Sequence, residues 1–144
     1  MRKINKIVLS VFFIAIVFFV GGFFIFPLLK EKGNIRLKVA EIREEYRGVI
    51  IEKFSVRNTP PTHLRIKVMG GEEIKISPNQ EIVNRANKGD SIIKPKNENF
   101  VFLITPEGVR DKIFYTKLSY ETRNSKYFPT EWKTKWMESS KWDK

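Results

Sequence analysis

The sequence contains no cysteine and a single histidine, His63. The first absence removes disulfides, thiolate metal sites, thiol nucleophiles and the acylated cysteine of a bacterial lipoprotein. The second excludes histidine-cluster metal centres. A glycine loop able to cradle phosphate is also missing, because Gly70-Gly71 lacks the lysine and the helix that would have to follow. Ser10, Ser55, Ser77 and Ser91 occupy no strand–turn–helix nucleophile context. The adjacent acids Glu44-Glu45 point apart on a helix, and Glu72-Glu73 sit at a hairpin tip, so neither pair suits acid/base work. We therefore expect a non-enzymatic protein without metal or cofactor. Acids are scarce beside bases, 16 against 27, which leaves a net charge of +11 on 144 residues. That excess favours anionic partners such as phospholipid head groups or nucleic acid, and says nothing of the fold.

One stretch lacks charge altogether. From Ile7 to Leu29 there are 23 residues without an ionisable side chain, dominated by Phe, Ile, Val and Leu. As a helix this run spans roughly 34 Å, against a hydrocarbon core of about 30 Å. Gly21, Gly22 and Pro27 are tolerable near the end of such a helix. A cleaved signal peptide is the rival, and Arg2, Lys3 and Lys6 suit its basic region. Its apolar core would be too long, however, and no small-x-small cleavage site follows. The expectation is an uncleaved, single-pass signal anchor over 7–29 in a bacterial cytoplasmic (inner) membrane, behind a basic flank at 1–6. The N-terminal bases argue for a cytoplasmic N-terminus, whereas Lys30, Lys32, Arg36, Lys38, Arg43 and Arg47 oppose it. Long C-terminal domains translocate largely regardless of such charge, so the domain is placed outside the cytoplasm.

Beyond residue 29 lie all 16 acids and 24 of the 27 bases, a net of +8. Ile35, Val39, Ile42 and Tyr46 recur at helical spacing, with Asn34 suited to an N-cap and Gly48 to a stop. This predicts a short amphipathic connector helix over 30–47. From Gly48 the period changes to two. GVIIEKFSVR, THLRIKVM and EIKIS read as strands, as do DSIIK, NFVFLI and VRDKIFYTK. A three-residue loop, Gly70 to Glu72, would set Ile66 against Ile76 and Lys67 against Lys75. SPNQEIVNRA breaks the alternation and predicts two helical turns over Gln80–Ala86. Phe100, Phe102 and Ile104 alternate with Val101 and Leu103, so that strand is apolar on both faces and belongs inside a sheet. Three strands, a short helix and two or three strands within 48–118 predict a small mainly-β domain. An OB-like, partly closed barrel is the expected form, with an SH3-like barrel as the alternative.

Two surfaces stand out. Lys53 and Arg57 on the first strand, Arg65 and Lys67 on the second and Lys75 on the third are expected to share an outer, basic sheet face for an anion or a partner. Like charges opposed across strands destabilise a pair, so Glu52 and Glu73 would have to balance them, or a bound anion would. The outer rows of these three strands are expected to offer no aromatic platforms, which counts against nucleic acid. The second surface is the tail at 119–144, where Trp132, Trp136 and Trp142 stand among lysines. A helix starting at Thr130 would put Trp132 and Trp136 on one face beside Lys133 and Lys135, with Trp142 off it. Such a tail either folds back on its own domain or inserts at an anionic lipid interface.

MRKINKIV with its Phe/Ile-rich anchor, GVIIEKF, and NKGDSIIKPKNENFVFLI together carry a resemblance. They resemble a loose group of small, single-pass, uncharacterised membrane proteins common in Bacteroidota, over the anchor and residues 48–104. The group offers no catalytic or binding residues to transfer, and the tryptophan tail is not part of its pattern. The expected role is an interaction or scaffold module at the bacterial envelope with an envelope protein partner. A binder of anionic ligands, lipid head groups ahead of nucleic acid, is the alternative, and an enzyme without a recognisable motif is the third.

Overall fold

The computed structural model describes residues 2–140. Met1 of the basic flank, and Trp142 with the rest of 141–144 in the expected tail, lie outside the described residues. The chain forms two compact units, residues 1–36 and 37–144.

Helix α1 runs without a break from Arg2 to Arg43 and contains Pro27. It is long and apolar enough to cross a membrane, with a mean hydropathy of 2.7 over its most apolar window. A signal sequence meets the same test. The expected connector at 30–47 is not a separate helix. Gly33 is the only weak helix former between Leu29 and Asn34, and one glycine costs only about 1 kcal/mol. The surrounding Lys, Glu, Leu and Arg residues carry the helix through, so Asn34 is interior rather than a cap.

The second unit is a mainly-β domain. Its strands are β1 (Tyr46–Phe54), β2 (His63–Val68), β3 (Glu73–Ile76), β4 (Ser91–Lys94), β5 (Phe100–Ile104) and β6 (Arg110–Phe114). They form one antiparallel sheet in the order β3-β2-β1-β4-β5-β6. This sheet is open: β3 and β6 are its edges and are not paired with each other. Helix α2 (Gln80–Arg85) is capped by Asn79, whose side chain accepts from the Ile82 N–H and donates to the Phe114 and Tyr115 carbonyls. One core gathers Ile50, Leu64, Ile66, Ile76, Ile92, Val101, Leu103 and Ile113 from all six strands with Ile82 and Val83 of α2. The doubly apolar β5 does lie inside the sheet, between β4 and β6.

Three local features depart from the sequence reading. The β2–β3 hairpin pairs Ile66 with Ile74, Arg65 with Lys75 and Lys67 with Glu73, two residues away from the expected register. A shift by two keeps every side chain on its face, so face matching could not separate the options. The loop is Met69-Gly70-Gly71, with both glycines at positive φ (107° and 89°). Second, β1 carries an irregularity between Ile50 and Glu52, after which Glu52 opposes Arg65 and Lys53 opposes Leu64. The extra residue inverts the alternation along that strand. Third, β1 starts at Tyr46, and Gly48 lies within it rather than ending a helix. A side chain there would place its Cβ 2.6 Å from the Lys67 carbonyl oxygen, which is why only glycine fits.

Lys94 is the unexpected member of the core, with no exposed surface. Its ammonium donates to the carbonyls of Ile42 (2.9 Å), Glu44 (3.1 Å), Pro95 (3.2 Å) and Glu98 (2.5 Å) and lies 5.2 Å from the Tyr115 ring centre. Burial pulls its pKa down to about 8, opposed by the charges of Glu44 and Glu98.

Two outcomes follow for the full chain in detergent micelles under urea denaturation. Gly48→Ala should lose about 2–3 kcal/mol, because β1 must move off β2. Lys94→Met should lose about 2–4 kcal/mol by orphaning four carbonyls. In the parent chain the folded state releases the Lys94 proton near pH 8 and the unfolded state near 10.5. Stability should therefore climb by up to about 3 kcal/mol between these values and lose that gain as pH falls through 8. Lys94→Met should remove this slope; an unchanged slope would refute the assignment.

Candidate interaction surface

Residues alternating with the core ones face away from it across the open sheet. The β1–β3 half holds most of the expected basic face. Arg65 pairs with Glu52 at 3.0 Å, and Lys67 stands opposite Glu73. Arg65 and Lys75 are cross-strand neighbours, yet both also lie over the Phe54 ring, at 5.5 and 5.8 Å. This half is thus locally balanced. Lys53 does not belong to it. After the bulge its ammonium reaches the end of α2, donating to the Ala86 (2.7 Å) and Asn84 (3.4 Å) carbonyls. Arg57 is not on a strand either; it lies in the Ser55–Thr62 loop, which the Ser55 hydroxyl braces through the Arg57 carbonyl and Thr59.

The β4–β6 half has a different character. Register places Arg47, Ile93, Phe102 and Lys112 in one row from β1 to β6. The Arg110 guanidinium lies 3.5 Å from the Phe102 ring centre, and the Lys112 ammonium 4.2 Å from that of Phe100. Arg47, Lys96, Arg110 and Lys112 are exposed, and among the described residues none of them forms an ion pair. A groove of about 610 Å³ opens here, lined by Arg47, Lys96 and Arg110 over Ile93, Pro95 and Phe102, with Glu45 as its one acid. The sequence reading searched for aromatics on the first three strands and so missed this arrangement. Its signal was present in the β5–β6 hairpin, where FVF and RDK interleave once the Thr105–Gly108 turn fixes the register.

A second cleft, about 600 Å³, is lined by Glu41, Ser77, Asn79, Glu81, Tyr115 and Lys117 among others. Burial pushes the Glu41 carboxyl pKa up, a hydrogen bond with Thr116 opposes this, and the Glu44 charge reinforces it. Burial likewise raises Tyr115, whose hydroxyl donates to Glu44 at 3.1 Å. Glu81 is tied to Arg85 at 3.2 Å. Among the residues that line this cleft there is no histidine or cysteine to pair with the Glu41 carboxyl. Among the described residues no cluster of three or more acids or histidines could hold a metal ion.

The tail does not form the expected helix from Thr130. Helix α3 (Tyr120–Asn124) precedes two short 3₁₀ turns, Thr130–Trp132 and Met137–Ser140. Trp132 is only 5 % exposed. Its ring meets Phe128 and Trp136 edge-on at 6.2 and 5.7 Å, with the Arg43 guanidinium 5.9 Å away. Trp136 adopts a positive φ of 53° and donates from Nε1 to Glu98 at 2.9 Å. Buried Arg123 organises the turns, donating to the carbonyls of Leu118, Lys133, Lys135 and Trp136 and to the hydroxyls of Ser139 and Ser140. The two tryptophans therefore pack against their own domain, the fold-back option. Lys133 is half-buried and Lys135 is exposed, 5.6 Å from the Trp136 ring centre.

Trp132→Ala should lose about 3–5 kcal/mol of domain stability by urea denaturation, whereas Lys133→Ala and Lys135→Ala should each stay within about 0.5 kcal/mol. A Trp132→Ala loss below about 1 kcal/mol would contradict the packed tail. No family, curated protein or solved structure matches this chain.

Proposed function

We propose that the protein is a membrane-tethered, non-enzymatic interaction module of the bacterial envelope, anchored by α1 in the cytoplasmic membrane with its domain on the far side. The observation that carries this reading is the outer sheet face, on which exposed cations and half-buried aromatics stand unpaired by acids beside an open groove. A sheet face with that composition is suited to contact rather than to chemistry. An OB-like affinity of the domain is supported by the element order, three strands, a helix and then further strands, and by the bulge that bends β1. The SH3-like alternative gains no comparable support. The anionic-ligand reading is favoured over nucleic acid: the Phe100 and Phe102 ring faces are occupied by the chain's own cations and are not free to stack on bases. The enzymatic reading would rest on the Glu41 cleft alone.

The test combines topology with contact. Intact cells should shield the N-terminus while protease added to spheroplasts digests the domain, and carbonate washing should leave the uncleaved chain in the membrane. A photo-crosslinking residue at Ile93 or Val109 should give discrete envelope adducts that one at exposed Asn84 does not. Cleavage after residue 29, or adducts equally abundant at Asn84, would overturn the proposal.

A further inference from the structure

The groove between β1, β4, β5 and β6 combines three exposed cations, and the buried Lys94 behind them, with an apolar floor. We infer that it is a binding site for a phosphate-bearing ligand, with Arg47, Lys96 and Arg110 as the anion contacts and Ile93 and Phe102 beneath the rest of the molecule. The inference rests on the outer face being the working surface.

Four observations converge. Arg47, Lys96 and Arg110 line one concavity of about 610 Å³. Among the described residues none of the three has an ion-pair partner, in contrast to Arg65 and Arg85 elsewhere on the domain. Like charges gathered in one concavity repel, and a bound anion relieves that repulsion while releasing water from all three. Two of the three are arginines, whose planar forks match phosphate oxygens two at a time; a lysine contributes a point charge only.

Arg110 is held before any ligand arrives. Its guanidinium rests 3.5 Å from the Phe102 ring centre. Phe102 is fixed in turn by the Ile93↔Phe102 and Phe102↔Lys112 cross-strand pairs and by edge contact with Phe100 at 5.1 Å. Stacking on the ring occupies one face of the guanidinium and leaves its N–H edge free to donate. Arg47 arrives from β1 opposite Ile93, so the two arginines bracket the apolar floor. Glu45 at the rim is the one acid of the groove and limits the charge a ligand must neutralise. Mixed walls favour an ester with an organic portion over a bare ion, and two sources supply such chemistry: a soluble phosphate ester or an anionic phospholipid head group.

The full chain in nanodiscs of zwitterionic lipid should bind glycerol 3-phosphate or inorganic pyrophosphate by isothermal titration. Arg110→Gln and Arg47→Gln should each weaken that binding about tenfold or more. Arg47→Lys should lose part of it through the missing fork, while Lys67→Gln and Lys75→Gln on the balanced half stay within about twofold. Tm of each variant checks that the exposed substitutions leave the domain folded. Retitration in nanodiscs containing phosphatidylglycerol separates the sources: apparent affinity lowered by competition identifies a head group, and unchanged affinity a soluble ester. No binding of either probe in zwitterionic nanodiscs would overturn the inference, as would equal losses at Lys67 and Arg110. Crosslinks from Ile93 that survive in Arg110→Gln would leave the envelope-module reading standing while the phosphate site falls.

Discussion

A single buried ammonium ties three segments of the domain together. Lys94 ends the short strand β4, and from there it reaches the carbonyls that close α1, at Ile42 and Glu44, and those of the following turn, at Pro95 and Glu98. A helix end leaves several carbonyls without intrahelical partners, and burying them unpaired is costly. Here the partner is a cation from the middle of the sheet, so helix end, strand and turn are set by one side chain. Nothing apolar could replace it, because the acceptors would remain. The Trp136–Glu98 contact and the Arg43–Trp132 contact both build on the geometry that this ammonium fixes.

The same device recurs. Lys53 closes the end of α2 through Ala86, Lys38 reaches the Lys117 carbonyl at 2.9 Å, and Arg123 gathers the carbonyls of the tail. In each case a cation answers the partial negative charge of backbone oxygens rather than a carboxylate. A high count of bases is therefore not by itself a count of binding charges. Part of the +8 carried beyond the apolar run is internal architecture, and Arg47, Lys96, Arg110 and Lys112 are among the bases that remain exposed.

The strands were legible because alternation at period two marks a half-buried strand wherever it occurs. All six predicted strands are present, and α2 lies within one residue of its expected extent. What the pattern could not carry was relative position. The β2–β3 register differs by two because faces repeat every second residue, and the inserted residue near Ile51 turned Lys53 away from the face that alternation had assigned to it. Arg65, Lys67 and Lys75 do share that face, while the Phe–cation arrangement on β5 and β6 arises between strands and exists only in register. Helix α1 absorbed the connector because local caps lose to a continuous run of good helix formers. The tail misled for another reason: four-residue tryptophan spacing imitates a helix, whereas tertiary contacts to Arg123 and Glu98 bend the backbone into 3₁₀ turns.

The tail is tied to the start of the domain, not to its sequence neighbours alone. Arg43 and Lys38, at the end of α1, touch Trp132, Lys117 and Thr122. Ser139 and Ser140 belong in turn to the Arg123 network. Closing contacts between residues so far apart in sequence costs more chain entropy than closing a hairpin. The sheet can therefore assemble from its hairpins before the seam around Trp132 is sealed, and that seam is a late step of folding.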